Sequence, residues 1–443
     1  MSPMHIALFA HAFGQRYDLP VPLWLYIYGG AAAVLLSFVV VGYFVDKKRS
    51  TVRPPVFICM VPHWVRVALG VFGCALLGLI VLAGLVGGQV PIQNITITFF
   101  WITFLLGCTY LTVLLGNWWP YIRPTSVLVR LAERLAGVRL GPFVRYPERL
   151  GYYPALVTYI GLIWLELLST GFGVVPQNLA WVLVGYSVVS ATGAIVFGAR
   201  DWYRYGDFFS VFFRLIGAMA PFVRKDGNLY VRRPLTGLLT ATHLRFSLLL
   251  FVLFMLSSTA FDGLRDTKVF NRLLAVMPQL SGLDFWLLLL LPCVFLALYM
   301  ACMGVMYKLV QSGRTVRELA VVFSVTIVPI AFAYNVAHYW TLLVIQGQQL
   351  IALVSDPLGW GWNVFGTAGY TVNVGIVGAS TVWYTQVGLI VLGHIAAVYL
   401  AHRVALRLYP DTKQAVRSQY PMLALMLLYT MISLWIIAQP ITA

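Results

Sequence analysis

The chain has 443 residues, of which 60% are hydrophobic and only 10% charged, with mean hydropathy +0.85 and net charge +16. Soluble domains carry about 25% charged residues, so the composition excludes a soluble globular domain and describes a polytopic membrane protein. The excess of positive charge comes with no recognition motif and no basic patch interleaved with aromatics, which excludes nucleic acid as a partner.

In chain order, residues 1–23 form an N-terminal tail carrying His5, His11 and Asp18. The tail has a short apolar run but no basic n-region, so it does not read as an ordinary secretory signal. Apolar runs of the length needed to span a bilayer, about 20 residues, follow at 24–45, 65–87, 93–116, 151–171 and 178–199. Five more lie at 243–261, 284–306, 319–343, 383–402 and 420–439. The predicted fold is all-α: a transmembrane helix bundle of about ten spans, forming one integral membrane domain over 1–443. Two segments stand apart. DWYRYGDFFSVFFRLIGAMAPF, 201–222, is aromatic and apolar but carries Asp207 and Arg214, and it is expected to lie as a helix in the inner interface. The connection 344–382 is too long for a plain loop and carries Asp356, Trp360, Trp362 and Phe365.

The distribution of basic residues orients this bundle. With the N-terminus outside, 26 of the 30 lysines and arginines fall on inner segments, leaving only Arg16, Arg265, Lys268 and Arg272 outside. Both termini are therefore predicted on the outer, periplasmic side. The five cysteines, Cys59, Cys74, Cys108, Cys293 and Cys302, show no CxxC or Cys/His spacing and imply neither a disulfide framework nor a zinc site.

Within the apolar runs a few polar groups need a reason. Glu166 is the only carboxylate well inside a predicted span, about 8 Å from its outer end at 1.5 Å per residue. Asp262 marks the outer end of the sixth span, and His394 lies nearer the midplane of the ninth. In the eighth, PIAFAYNVAHYW carries Tyr334, Asn335 and His338, with Tyr334 and His338 on one helix face at i, i+4. His402 is expected to snorkel at the inner surface. Ionisable groups in a membrane are costly and usually mark function, so Glu166, Asp262, Tyr334, Asn335 and His338 are expected to line one polar pocket near the outer face, with His394 below. The structural alternative is a buried Glu166–His338 pair that merely fixes helix packing. Imidazole with carboxylate suits a divalent metal such as zinc or copper, and His338, His394 and Glu166 are the candidate ligands. Glu166, Asp262 and His338 are the candidate catalytic groups, and Tyr334, Asn335, Asp356, Trp360 and Trp362 the candidate substrate contacts. No HExxH, HxH or G-x-S-x-G is present.

Six stretches together resemble one family: AHAFGQRYDLPVPLWLY at 10–26, STAFDG at 258–263, VPIAFAYNVAHY at 328–339, SDPLGWGWNVFGTA at 355–368, GHIAAVYLAHRVAL at 393–406 and SQYPMLALMLLYTMISLWIIAQPI at 418–441. They are similar to the bacterial integral membrane fenitrothion hydrolases. The resemblance runs from the N-terminal tail to the C-terminus. It implies hydrolysis of an apolar phosphotriester, with release of a nitrophenol, by a multi-pass enzyme of the bacterial inner membrane, either alone or with a second membrane subunit. The HxH pair of the soluble barrel phosphotriesterases is missing, so their two-metal site does not transfer.

Two other functions fit the same residues. An ion-coupled permease would use them to bind a proton or cation, although the chain shows no inverted repeat. A redox subunit would use His338 and His394 as haem or copper ligands, at depths that differ by about 9 Å along a helix.

Overall fold

The computed structural model describes residues 22–44, 52–169, 171–277, 282–310 and 313–439. Ten helices among them are long and apolar enough to cross a membrane. In chain order these are α1 (Leu23–Phe44), α2 (His63–Val86), α3 (Ile95–Leu115), α4 (Glu148–Leu167) and α5 (Pro176–Phe197). They continue with α6 (Phe246–Arg265), α7 (Asp284–Val310), α8 (Val328–Gln346), α9 (Ala379–Leu408) and α10 (Thr412–Ala438). The all-α, multi-pass architecture is therefore as the hydrophobic pattern predicts. The one sheet among the described residues is small and antiparallel, with Asn228–Val231 between Val56–Met60 and Phe222–Lys225. His5, His11 and Asp18 of the N-terminal tail lie outside the described residues.

The eighth span begins later than the apolar run suggests. Val316–Phe323 is a separate short helix, opened by a capping box between Thr315 and Glu318. A 3₁₀ turn, Ser324–Thr326, divides it from α8. Pro329 supplies no N–H to an incoming helix and crowds the turn before it. The hydroxyls of Ser324 and Thr326 donate back to Val321 O and Phe323 O, both at 2.7 Å, which competes with continued helix.

The chain forms two compact units. The first comprises residues 55–234 and 340–376, with α2 to α5. Here α2 approaches α5 closely: a Cβ on Gly84 would lie 2.6 Å from Pro176 O. Such small-residue contacts are how membrane helices gain packing without a hydrophobic drive. Part of the segment expected in the inner interface is buried among its neighbours. Phe208–Gly217 is a helix with nine of its ten residues buried. Phe209 and Phe213 pack on Trp119, with ring centroids 5.6 and 5.4 Å apart. Its polar groups are satisfied inside the unit, so it needs no aqueous face. The connection after α8 is also built. Gln349–Ser355 is a short helix, and the Ser355 and Thr367 hydroxyls bond at 2.7 Å across the turns that follow.

Among the described residues, the second unit comprises 22–44, 52–54, 235–277, 282–310, 313–339 and 377–439. Its centre is α6, whose Ser247–Gly263 stretch is almost wholly buried. α1 lies against α9 and α10, and a Cβ on Gly30 would sit 2.6 Å from Leu434 Cδ1. The first turns of α8 press on Gly393 of α9, where a Cβ would meet Ala333 Cβ at 2.3 Å.

Candidate functional site

The last turn of α6 reads Phe261-Asp262-Gly263-Leu264-Arg265, with Asp266 as C-cap. Gly263 makes the close approach possible. A Cβ there would stand 2.7 Å from Ile436 Cγ2, 3.4 Å from the Tyr334 hydroxyl and 3.5 Å from His338 Cε1. The side chains of α8 therefore come down beside Asp262. His338 Nε2 lies 3.0 Å from Asp262 Oδ2, and the Tyr339 hydroxyl donates to the same oxygen at 2.6 Å. The pair is largely enclosed, with the side chains of His338 and Asp262 exposed by 14% and 9%.

Asp266 completes the group. Asp262, Asp266 and His338 each present a ligand atom within 4.8 Å of the others. Asp266 follows Asp262 by four residues, one turn along the same helix, so both carboxylates share a face. Two ligands on tetrahedral zinc stand about 3.6 Å apart and two on calcium at most about 5 Å, from bond lengths of about 2.2 and 2.5 Å. A spread inside 4.8 Å accommodates either ion with small side-chain adjustment. The donor set of two carboxylates and one imidazole fits a divalent cation of intermediate hardness.

Tyr334, one turn before His338, is 2% exposed, and its hydroxyl has no partner among the described residues. A buried hydroxyl without a partner is uncommon and calls for an explanation. This one abuts the same glycine as His338. Arg265, the nearest cation in sequence, pairs with Asp284 at 3.6 Å.

Asp262, Tyr334 and His338 thus come together, and Asp266, which the sequence analysis does not single out, joins them. Its signal was the i, i+4 step from Asp262. Asn335 is half-buried, about 100° round the helix from Tyr334. His394 is not a member of the cluster, which corrects its assignment as a ligand with His338. Its Nδ1 pairs with Ile390 O of its own helix at 2.8 Å, and its Nε2 is buried without a partner among the described residues. Glu166 is half-buried on α4, in the first unit, and does not belong to the cluster either.

The first unit also holds Asp356, Trp360 and Trp362. The Asp356 carboxylate accepts the backbone N–H groups of Trp360 at 2.9 Å and Gly361 at 2.7 Å. That fastens a turn, so its acceptors are committed to the backbone rather than to a substrate. Trp360 and Trp362 are exposed and stack edge to face at 5.2 Å. His402 does not snorkel. It is fully buried, and its Nδ1 lies 3.2 and 3.1 Å from the amide oxygen and nitrogen of Gln419, because the polypeptide after α9 folds back over this turn.

A second buried carboxylate, Asp207, which the sequence analysis notes only as a charge within 201–222, lies in the first unit. It is 2% exposed and N-caps Phe208–Gly217. Its Oδ1 accepts the hydroxyls of Tyr186 and Ser190, both at 2.6 Å. Its Oδ2 accepts the Ser210 amide at 3.0 Å and hydroxyl at 2.5 Å.

Fold and site together define a multi-pass helical membrane protein with an Asp–His pair and a second carboxylate at the end of a central helix. No family model, curated protein or solved structure matches the chain.

Proposed function

We propose that the protein is a membrane-embedded, divalent-cation-assisted hydrolase of apolar phosphotriesters such as fenitrothion. The observation that carries this reading is the Asp262–Asp266–His338 cluster, with ligand atoms within 4.8 Å of one another. The family resemblance of the six quoted stretches supplies the substrate class.

Asp262, Asp266 and His338 would hold the cation. When bound, it supplies a Lewis acid for the phosphoryl oxygen and lowers the pKa of water. The contact of His338 Nε2 with Asp262 Oδ2 at 3.0 Å would orient the imidazole beside the cation, as carboxylate partners of metal-site histidines do. The Tyr339 hydroxyl holds Asp262 in place. Asp266, half-buried at the helix end, would offer one carboxylate oxygen to the cation and leave the other to take the proton as the water oxygen attacks phosphorus. The bond from phosphorus to the aryl oxygen breaks, and the nitrophenolate leaves. The unpartnered Tyr334 hydroxyl donates to the phosphoryl oxygen, where charge builds up.

Asp262→Asn and Asp266→Asn test the proposal by nitrophenol release from fenitrothion in detergent micelles. Both should lose turnover while remaining folded. Full activity in either variant would remove the cluster from the chemistry. The 3.0 Å Asp262–His338 contact also suits proton exchange in a permease. Chelator-insensitive uptake driven by a pH gradient, with no nitrophenol released, would favour that second reading.

The proposed location is the bacterial inner membrane with the site toward the periplasm, supported by the 26 of 30 basic residues assigned to inner segments once Arg16, Arg265, Lys268 and Arg272 are set apart. A cytoplasm-only reporter fused after Ala443 should stay silent, and a strong signal would reverse the orientation.

A further inference from the structure

The first unit contains a polar cavity of about 300 Å³ between the helix Pro124–Ala136 and the end of α5. Arg123, Ser126, Arg130, Glu133, Gly198 and Tyr203 are among the residues that line it. Arg123 is the key group. Its guanidinium lies over the Tyr203 ring, 3.2 Å from the centroid, and its Nη1 donates to Ser210 Oγ at 2.9 Å. Its Nε is buried and has no partner among the described residues. The neighbouring carboxylate does not take these donors, because both oxygens of Asp207 are occupied by Tyr186, Ser190 and Ser210. Burial accordingly presses the Arg123 pKa below its usual range, against the opposing pull of Tyr203 and Asp207. Arg130 spends its Nε on Ser126 O at 2.9 Å, which leaves its terminal nitrogens. Glu133 is engaged by the Leu140 N–H at 3.2 Å.

A cavity lined by two arginines with unspent donors calls for an acceptor-rich anion, and the guanidinium fork matches phosphate. The helix that walls the cavity indicates the source. Ser126, Val129, Arg130 and Glu133 line the cavity at i, i+3, i+4 and i+7. Leu128, Leu131 and Leu135 form an exposed apolar stripe on the opposite face. A helix with leucines out and arginines behind lies at the boundary between hydrocarbon and headgroups. The other wall, Gly198 and Ala199, follows the last residue of a spanning helix, which sets the cavity at the same depth.

We propose that this cavity binds the phosphate of a phospholipid headgroup, with Arg123 and Arg130 as its donors. Native mass spectrometry of the full chain, purified in mild detergent and offered phosphatidylglycerol, tests the assignment. The wild type should retain one phospholipid per chain. Loss of one charge-assisted contact lowers affinity by about tenfold or more, so Arg130→Gln and Arg123→Gln should show that drop. Lys308→Gln, in the other unit, should retain lipid as the wild type does. Arg123 also supports Tyr203 and Ser210, so if its variant fails to fold, the exposed Arg130 decides the matter alone. A wild type without lipid, or equal retention in Arg130→Gln, overturns the site. Displacement of the lipid by millimolar inorganic phosphate overturns the lipid assignment and makes a free oxyanion the ligand.

Discussion

Asp207 and Asp262 are both buried carboxylates in an apolar protein, yet their surroundings differ in kind. Asp207 is met by two serine hydroxyls, a tyrosine hydroxyl and a backbone amide, none of which changes charge near neutral pH. Asp262 is met by a histidine and a tyrosine, with a second carboxylate close by. The first arrangement is finished: every acceptor has a donor, and the helix it caps is locked. The second is not closed in this way: two carboxylates and an imidazole lie together, the donor set that the proposed cation would use. In a membrane protein, then, burial of a carboxylate does not by itself mark function.

The comparison breaks most visibly at His338. His338→Ala should lower phosphotriester turnover by about 10²- to 10⁴-fold, and it should also cost about 1–3 kcal/mol because it strips the largely enclosed Asp262 of a partner; that loss of stability with activity retained would make the site structural. Asp207→Asn should affect stability only. It sets an amide N–H₂ against the donors of Ser210, and unpaired buried groups cost about 1–3 kcal/mol each, so a loss of about 3 kcal/mol is expected with normal turnover per folded molecule. His402→Ala removes the buried partner of Gln419 and should cost about 2 kcal/mol with no change in turnover. A snorkelling histidine would have cost nothing, so thermal unfolding separates the two descriptions.

The smallest effect lies at the start of the helix Val316–Phe323. Thr315→Ala removes an N-cap worth about 1 kcal/mol. The Thr315 backbone N–H holds the Glu318 carboxyl below its usual range. A carboxyl whose pKa is depressed on folding stabilises above its unfolded value of about 4.3 and loses that contribution as pH falls through the folded value. Acid unfolding of Glu318→Gln should therefore be less steep below about pH 4.3, and unchanged steepness would show the capping box contributes nothing.

The span count was legible because 20-residue apolar runs and alternating basic loops are strong signals. The start of α8 was not, since Val316–Phe323 and α8 are both apolar and only Pro329 and the hydroxyls of Ser324 and Thr326 divide them. The burial of Phe208–Gly217 was illegible for another reason. The groups that satisfy Asp207 include Tyr186 and Ser190, on a different helix, and a single sequence does not show which distant hydroxyl meets which carboxylate. Asp262, Tyr334 and His338 stood out as costly groups in hydrocarbon. Asp266 did not, because it lies one residue beyond α6, where charge is ordinary.

The central claim is that Asp262, Asp266 and His338 hold a cation that hydrolysis needs. The most direct test is elemental analysis of the purified protein beside fenitrothion turnover, before chelation, after it, and after a divalent metal is returned. About one metal per chain is expected, with activity lost and restored alongside it, and a His338→Ala protein should hold little metal under the same conditions. Turnover that persists after complete removal of metal, or a His338→Ala protein that binds metal as the wild type does, would contradict it.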